Sequence, residues 1–254
     1  MASELHNEMT RCARILGSEG VAALASSCVM VLGLGGVGSS CVEALARGGV
    51  GKFILVDHDV VDITNINRQA IAFHSTIGRK KIDVMRQMVL DINPQAQVEV
   101  VDSFVLAENL DALLDEHAVK ADFVVDAIDT ISTKLAIAAA AQERDINLIS
   151  AMGGGNKLHP EYLRVADIYD TVNCRMCRIM RKECRKRGIS HLRVLYSCEE
   201  AAAATARPGT ERGERSGLGT MPYFPPIMGQ MIAGYVIRSI AGVESREDVL
   251  ARRK

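Results

Sequence analysis

From Val29 to Gly38 the chain reads Val-Met-Val-Leu-Gly-Leu-Gly-Gly-Val-Gly and runs on through Ser39 and Ser40 into an Ala/Leu-containing helical pattern, Val42 to Arg47. A short β-branched run that ends in clustered glycines and opens a helix is the strand, turn and helix of a nucleotide-binding unit. Gly33, Gly35 and Gly38 take the spacing Gly-x-Gly-x-x-Gly. In that spacing one glycine allows the tight turn, one lets backbone N–H groups approach a phosphate, and one lets the helix pack closely on the strand. The positive end of the helix dipole faces the same spot, with Gly35 and Gly36 nearest the phosphates. Taken alone, such a turn serves NAD and ATP equally and also occurs in ordinary loops.

The next strand-like run ends in Asp57, followed by His58 and Asp59. A carboxylate there, about 20 residues after the glycine turn, is placed to accept hydrogen bonds from ribose hydroxyls; the plain alternative is an Asp that caps a turn. Thr64-Asn65-Ile66-Asn67-Arg68-Gln69, Gly78 and Lys80-Lys81 follow. Cations in that position favour a triphosphate about to be cleaved, because backbone amides suffice for a dinucleotide pyrophosphate while charge on β and γ oxygens needs offsetting. Arg68 and Lys81 are the candidates, and solvated surface charge is the competing reading. A later strand ends Asp126-Ala127-Ile128-Asp129. Carboxylates at a strand end suit Mg²⁺, a hard ion that keeps several waters beside substrate phosphates. Asp129 is assigned to the metal and Asp126 to structure, a helix-cap role for one of them remaining open.

These residues need a scaffold. The chain has 254 residues, 48% hydrophobic and 24% charged, with net charge -1, which suits a globular domain with ample core and gives no general attraction to nucleic acid. Strand-like runs at 29–32, 53–56, 98–101, 123–125 and 148–150 alternate with helical patterns near 37–48, 78–91, 107–117 and 133–144. That alternation predicts an α/β fold: a doubly wound, mainly parallel Rossmann-like sheet with helices on both faces and ligands at the strands' carboxyl ends. A helical arm, Glu4 to Ala25 with interrupting glycines at 17 and 20, precedes the first strand. After Gly153-Gly154-Gly155 the pattern changes to a C-terminal extension with short antiparallel strands (162–165, 192–196), a basic helix and a closing apolar helix from about Pro226 to Ile240. The Gly- and charge-rich stretch from Arg207 to Gly219 is expected to be a mobile loop. No apolar run is long enough to span a bilayer and the N-terminus lacks a signal peptide's apolar core, so the expected location is the cytoplasm, with no membrane partner.

The glycine turn, Asp57-x-Asp59, Asn65-x-Asn67-Arg68-Gln69, Lys81 and Asp126-x-x-Asp129 together resemble the adenylation fold of the ubiquitin-activating, molybdopterin-synthase and thiamine-biosynthesis adenylyltransferases. The resemblance implies ATP with Mg²⁺, and a nucleotide site of Gly33, Gly35, Gly36, Asp57, Asp59, Asn65, Arg68, Gln69, Lys81 and Asp129. It also implies a homodimer in which an arm arginine reaches the partner's ATP. Ala13-Arg14-Ile15-Leu16-Gly17 is similar to that arm, which makes Arg14 the candidate. One ThiF-type adenylation domain over 1–254 is expected, with an arm at 1–27, a nucleotide-binding half at 28–152 and a substrate and dimer half at 153–254.

The second half narrows the likeness. Asp170, Met180-Arg181-Lys182, Lys186-Arg187-Gly188-Ile189 and Val194-Leu195-Tyr196-Ser197 with Glu199 resemble the tRNA threonylcarbamoyladenosine dehydratases, whose members use ATP to cyclise the threonylcarbamoyl group on the adenosine beside the anticodon. The residues themselves support an RNA partner. Seven basic residues and one acidic residue lie between Arg175 and Arg187. Arg175, Arg178, Arg181, Lys182 and Arg185 share a helical face, with Lys186 beside them, and such density in a near-neutral chain favours phosphate contact over a merely solvated face. With few aromatics nearby, the expected contact is with the RNA backbone.

The seven cysteines, an odd number without a secretion signal, are expected to be reduced. Cys174-x-x-Cys177 lacks the second pair that a structural zinc usually needs, so zinc is not expected. Near the final helix, Glu211 to Gly219 offers Ser216 where some dehydratases carry cysteine. No cysteine is therefore assigned to catalysis. A monovalent cation and a sulfur-carrier or desulfurase-type protein partner are left open. The competing activities are adenylylation of a ubiquitin-like sulfur carrier, RNA binding without turnover and, last, NAD-dependent oxidoreduction.

Overall fold

Strand β1 (Cys28–Leu32) is buried at every position. Its alternation sends Val29 and Val31 into one hydrophobic cluster and Cys28, Met30 and Leu32 into another, so it must be covered on both faces. The computed structural model, which describes residues 7–202 and 218–243, covers it with helices. On one face lie α2 (Gly36–Arg47), α3 (Lys81–Ile92) and α7 (Phe224–Ile240). On the other lie α4 (Leu110–His117) and α5 (Ile131–Glu143). Each leucine or valine so buried is worth about 1.5–3 kcal/mol.

Around β1 the remaining strands are β2 (Lys52–Asp57), β3 (Gln97–Asp102), β4 (Phe123–Asp126), β5 (Leu148–Ala151), β6 (Leu163–Asp167) and β7 (Arg193–Ser197). They form one seven-stranded sheet in the order β3-β2-β1-β4-β5-β7-β6. All neighbours are parallel except β6 and β7. The expected C-terminal extension is therefore continuous with the main sheet: β7 runs parallel to β5 and only β6 turns back along it. Helix α6 (Arg175–Lys186) closes this end, its Cys177, Met180 and Cys184 packing with Leu135 and Ala138 of α5 and Val194 and Tyr196 of β7.

Strand order reverses between β1 and β4, which places a crevice beyond their carboxyl ends. Leu32 pairs with Val56 on one side and Asp126 on the other, so Asp57, the glycine turn and the 126–129 turn emerge side by side. Helix α3 starts three residues later than its apolar pattern suggests, because Gly78 takes a left-handed φ of 81° and Lys80 bridges to Val60. Helix α7 starts two residues earlier, since prolines fit a first turn whose N–H groups have no helical partner. The arm is helical over Thr10–Ser26 with a break at Gly17, whose φ is 71°. Gly20 does not interrupt it and packs against Ala241. Residues 207–217 of the expected loop lie outside the described residues, as does Ser216. No helix among the described residues is long and apolar enough to cross a membrane.

Two close approaches fix the helices around the crevice. A Cβ on Gly38 would lie 1.8 Å from the Gly33 carbonyl oxygen, and one on Gly229 of α7 would lie 2.3 Å from the Val37 oxygen of α2. Gly38→Ala should therefore cost at least about 3 kcal/mol, seen as a lowered urea midpoint; an unchanged midpoint would mean that α2 does not approach β1 this closely.

Candidate active site

The ten residues expected at a nucleotide site, Gly33 to Asp129, all line one cleft of about 870 Å³ at the carboxyl ends of β1, β2 and β4. A slightly larger cleft, about 1000 Å³, lies at the opposite ends of the strands, lined by Asp122, Asn147 and Arg193 among others, and contains none of them. The first has the chemistry of a phosphate site: Gly35 forms the N-cap of α2, whose first-turn amides are exposed to it without side-chain caps. A Cβ on Gly35 would meet nothing within 4 Å, so the backbone there is bare toward the cleft. Gly36 is bare for a different reason, pressed against Pro225 and Arg68.

Asp57 organises the turn. Its carboxylate accepts the amides of Leu34 at 2.6 Å and Asp59 at 2.8 Å, tying the glycine loop to the end of β2. The polar segment behind it is built locally: Asp62 caps a short helix at Ile63–Asn65, and Asn65 returns its Oδ1 to the Asp62 amide. Ser39 of α2 then accepts the Ala70 amide at 3.1 Å, which docks the segment on the glycine helix. Gln69 is buried, and its Oε1 has no hydrogen-bond partner among the described residues. An orphaned acceptor at a nucleotide cleft fits a ribose or base donor.

The cations are held short of the open space. Arg68, half-buried, donates to the Thr64 carbonyl and Asn67 Oδ1. Lys81 is 6% exposed and its Nζ meets Asp59 Oδ2 at 2.7 Å. Asn67 also donates to the Thr220 carbonyl, pinning the chain just before α7 to the rim. Asp129 is exposed, accepts only the Thr130 hydroxyl at 3.3 Å, and has no cationic partner among the described residues. A free oxygen donor beside a phosphate cradle fits Mg²⁺, which needs one or two carboxylates and completes its shell with phosphate and water.

Asp126, expected to be structural, does not line the cleft, and the partner that holds it was not legible. It is 0% exposed and paired at 2.9 Å with Lys134 of α5, itself 0% exposed. The signal that could have found Lys134 is a lone cation in the apolar start of α5. Sequence reasoning also missed the stretch after β3, Ser103 to Glu108, which lines the cleft. Phe104 there is 56% exposed and lies 4.2 Å from the His58 ring; an apolar run after a strand reads as core until the sheet order puts β3 beside β2.

Arg14 is exposed on α1 and does not line this cleft. On α6, Arg175, Arg178, Lys182, Arg185 and Lys186 are exposed. Arg181 is half-buried and differs in use, its guanidinium donating to the Thr171 carbonyl and hydroxyl. Lys186 and Arg187 flank Glu183 and hold its carboxyl down to about 2, while Arg185 lies 5.1 Å over the Tyr169 ring. A Cβ on Gly153, next to Gly154 and Gly155 of the cleft, would lie 3.5 Å from the Met176 side chain in the first turn. All seven cysteines are unpaired. Cys174 caps α6, its Sγ accepting the Cys177 amide at 3.5 Å; hydrogen bonding from the Cys177 thiol and helix amides holds it well below the usual thiol range, and the same contact with burial pushes Cys177 up.

A model described as the ThiF family matches residues 6–253. The chain is 37% identical over 234 residues to the tRNA threonylcarbamoyladenosine dehydratase of Bacillus subtilis, covering 89% of this chain and 91% of that protein. Its fold is similar to the crystal structure of Escherichia coli tRNA N6-threonylcarbamoyladenosine dehydratase in complex with ATP, with TM-score 0.82, 27% identity, and 92% and 94% of the two chains covered. Likeness to the molybdopterin-synthase adenylyltransferase of Escherichia coli is more partial: 32% identity over 132 residues, 52% of this chain and 51% of that protein.

Because Gly35 is bare toward open space, Gly35→Ala should leave stability within about 0.5 kcal/mol while blocking approach of a phosphate to the α2 amides. Loss of one charge-assisted hydrogen bond weakens ATP binding about 10-fold or more. Calorimetric titration checks this; unchanged affinity would remove the phosphates from this turn.

Proposed function

The chain belongs to the ThiF family, and on that premise we propose that it is an ATP-dependent tRNA threonylcarbamoyladenosine dehydratase, acting beside the anticodon by adenylation of the threonyl carboxylate. One observation carries this reading: Arg68, Lys81 and Asp129, which has no cationic partner among the described residues, converge on a cleft floored by Gly35 and Gly36. The likeness to a dehydratase over nearly the whole chain, against half of it for the molybdopterin-synthase adenylyltransferase, disfavours a sulfur-carrier substrate.

A carboxylate resists attack because its leaving group is poor, and ATP supplies AMP as a better one. The protein's residues bind and orient. The amides of Gly35, Gly36 and the first turn of α2 receive phosphate oxygens, aided by the helix dipole. Arg68 and Lys81 offset charge that develops as the phosphoanhydride breaks; Lys81 comes with Asp59 as its counter-ion, so the bound phosphates compete for it. Asp57, Asn65 and Gln69 serve the nucleoside hydroxyls and base, and Asp129 holds Mg²⁺. The nucleophile for ring closure already sits in the modified nucleoside. Effective molarities of about 10⁵ M for oriented intramolecular attack make a protein nucleophile unnecessary.

The exposed cations of α6, whose first turn abuts Gly153, serve the tRNA backbone, with residues 153–254 as the substrate and dimer half. Arg14 lies outside its own cleft and serves that of a second copy, which makes the working unit a homodimer. A tRNA substrate supports a cytoplasmic location.

Purified protein incubated with ATP, Mg²⁺ and threonylcarbamoylated tRNA should yield a nucleoside lighter by one water, with AMP and pyrophosphate formed. Arg68→Ala, Lys81→Ala and Asp129→Ala should each lower that rate about 100-fold or more. An unchanged nucleoside with the wild-type protein, or pyrophosphate exchange driven by a diglycine-ending protein and indifferent to tRNA, would refute the reading.

A further inference from the structure

A charge with no solvent access lies directly beneath the active cleft. Lys134 and Asp126 have side chains 0% exposed. Lys134 Nζ donates to Asp126 Oδ2 at 2.9 Å and to Ser150 Oγ of β5 at 3.1 Å, and Ser150 Oγ donates to the same Asp126 oxygen at 2.6 Å. The other oxygen of Asp126 accepts the Ile128 amide at 3.1 Å. The carboxylate is thus clamped on one side by α5 and β5 and on the other holds the turn that ends in Asp129.

That turn is wedged from its other side as well. The Ala127 amide donates to the Leu32 carbonyl at 2.9 Å. A Cβ on Gly33 would lie 3.1 Å from the Ala127 oxygen, and one on Gly38 would lie 3.3 Å from the Ala127 Cβ. The Lys134 amide donates to the Thr130 carbonyl, which begins α5 immediately after Asp129. Of the backbone groups in this turn, the Ile128 amide is held by Asp126 and the Thr130 carbonyl by Lys134, while the Ala127 amide is held by Leu32.

The geometry points to Lys134 as a positioning residue for Asp129: its buried ammonium orients the Asp126 carboxylate, which sets the Ala127–Asp129 turn and so the metal-binding oxygen. A well-packed apolar side chain would fill the same volume at less desolvation cost, so packing alone does not account for a charge here. The inference rests on Asp129 holding Mg²⁺. Groups that orient metal ligands from behind typically contribute 10–100-fold to affinity.

The test is ATP affinity of the full-length protein with and without Mg²⁺, for wild type, Lys134→Met, Lys134→Arg, Ser150→Ala and Asp129→Asn, and for Lys134→Met combined with Asp129→Asn. Lys134→Met should shrink the Mg²⁺ enhancement about 10-fold or more while leaving Mg²⁺-free affinity within about 2-fold, Lys134→Arg should restore part of it, and Lys134→Met should cost nothing further in the Asp129→Asn background. Ser150→Ala keeps the ion pair and decides the matter if Lys134→Met does not fold: a smaller enhancement with unchanged Mg²⁺-free affinity supports the assignment. Equal losses with and without Mg²⁺, or additive losses in the double variant, would make Lys134 merely structural and overturn it. No Mg²⁺ enhancement in the wild type would sink the reading of Asp129, and this inference with it.

Discussion

Backbone contact between α2 and the strand it follows is the constraint on which the site depends. With no room for a side chain at Gly38 against the Gly33 carbonyl, the helix begins at the very end of β1, and its unsatisfied amides open on the crevice where strand order reverses. The same approach leaves a notch that Ala127 fills, so the turn carrying Asp129 is set by the glycine turn as much as by its own sequence. Asp57 closes the arrangement by taking the Leu34 amide. Three strand ends are joined through one loop, and a nucleotide meeting that loop meets all of them.

Around this frame the charges are unequally satisfied. Lys81 and Arg68 have partners that hold them in place, Asp59 and the Thr64 and Asn67 oxygens respectively. Among the described residues, Asp129 has none beyond a neighbouring hydroxyl. A phosphate-bearing ligand can draw on cations already oriented, which lowers the reorganisation needed as charge develops, while the Asp129 carboxylate stays open. On α6 the division is by face: five cations are exposed and Arg181 ties the helix to Thr171.

Much of this was legible in the sequence because local pattern decided it. The buried β1, β2, β4 and β5 read as apolar runs, and the residues expected at a nucleotide site line one cleft because Gly33 to Gly38, Asp57 and Asp129 lie at or just after strand ends, and strand ends in a doubly wound sheet share an edge. What was not legible is tertiary. That Lys134 pairs with Asp126 follows from its facing that residue across the α5–sheet interface, and the 103–108 stretch joins the cleft only because β3 lies beside β2. Arg181 fits the spacing of its basic neighbours, yet the Thr171 carbonyl comes within its reach. The start of α3 was displaced by one left-handed glycine, a local feature that helical periodicity does not register.

Activation of a carboxylate by AMP, as against phosphate, is the chemical core of the proposed reaction, and oxygen transfer reports it most directly. With tRNA carrying heavy oxygen in the threonyl carboxylate, adenylation sends one labelled oxygen into the AMP released at ring closure. Label in AMP, in proportion to the cyclised nucleoside formed, is the predicted result. Label in inorganic phosphate alongside ADP, or in solvent water with unlabelled AMP, would contradict it.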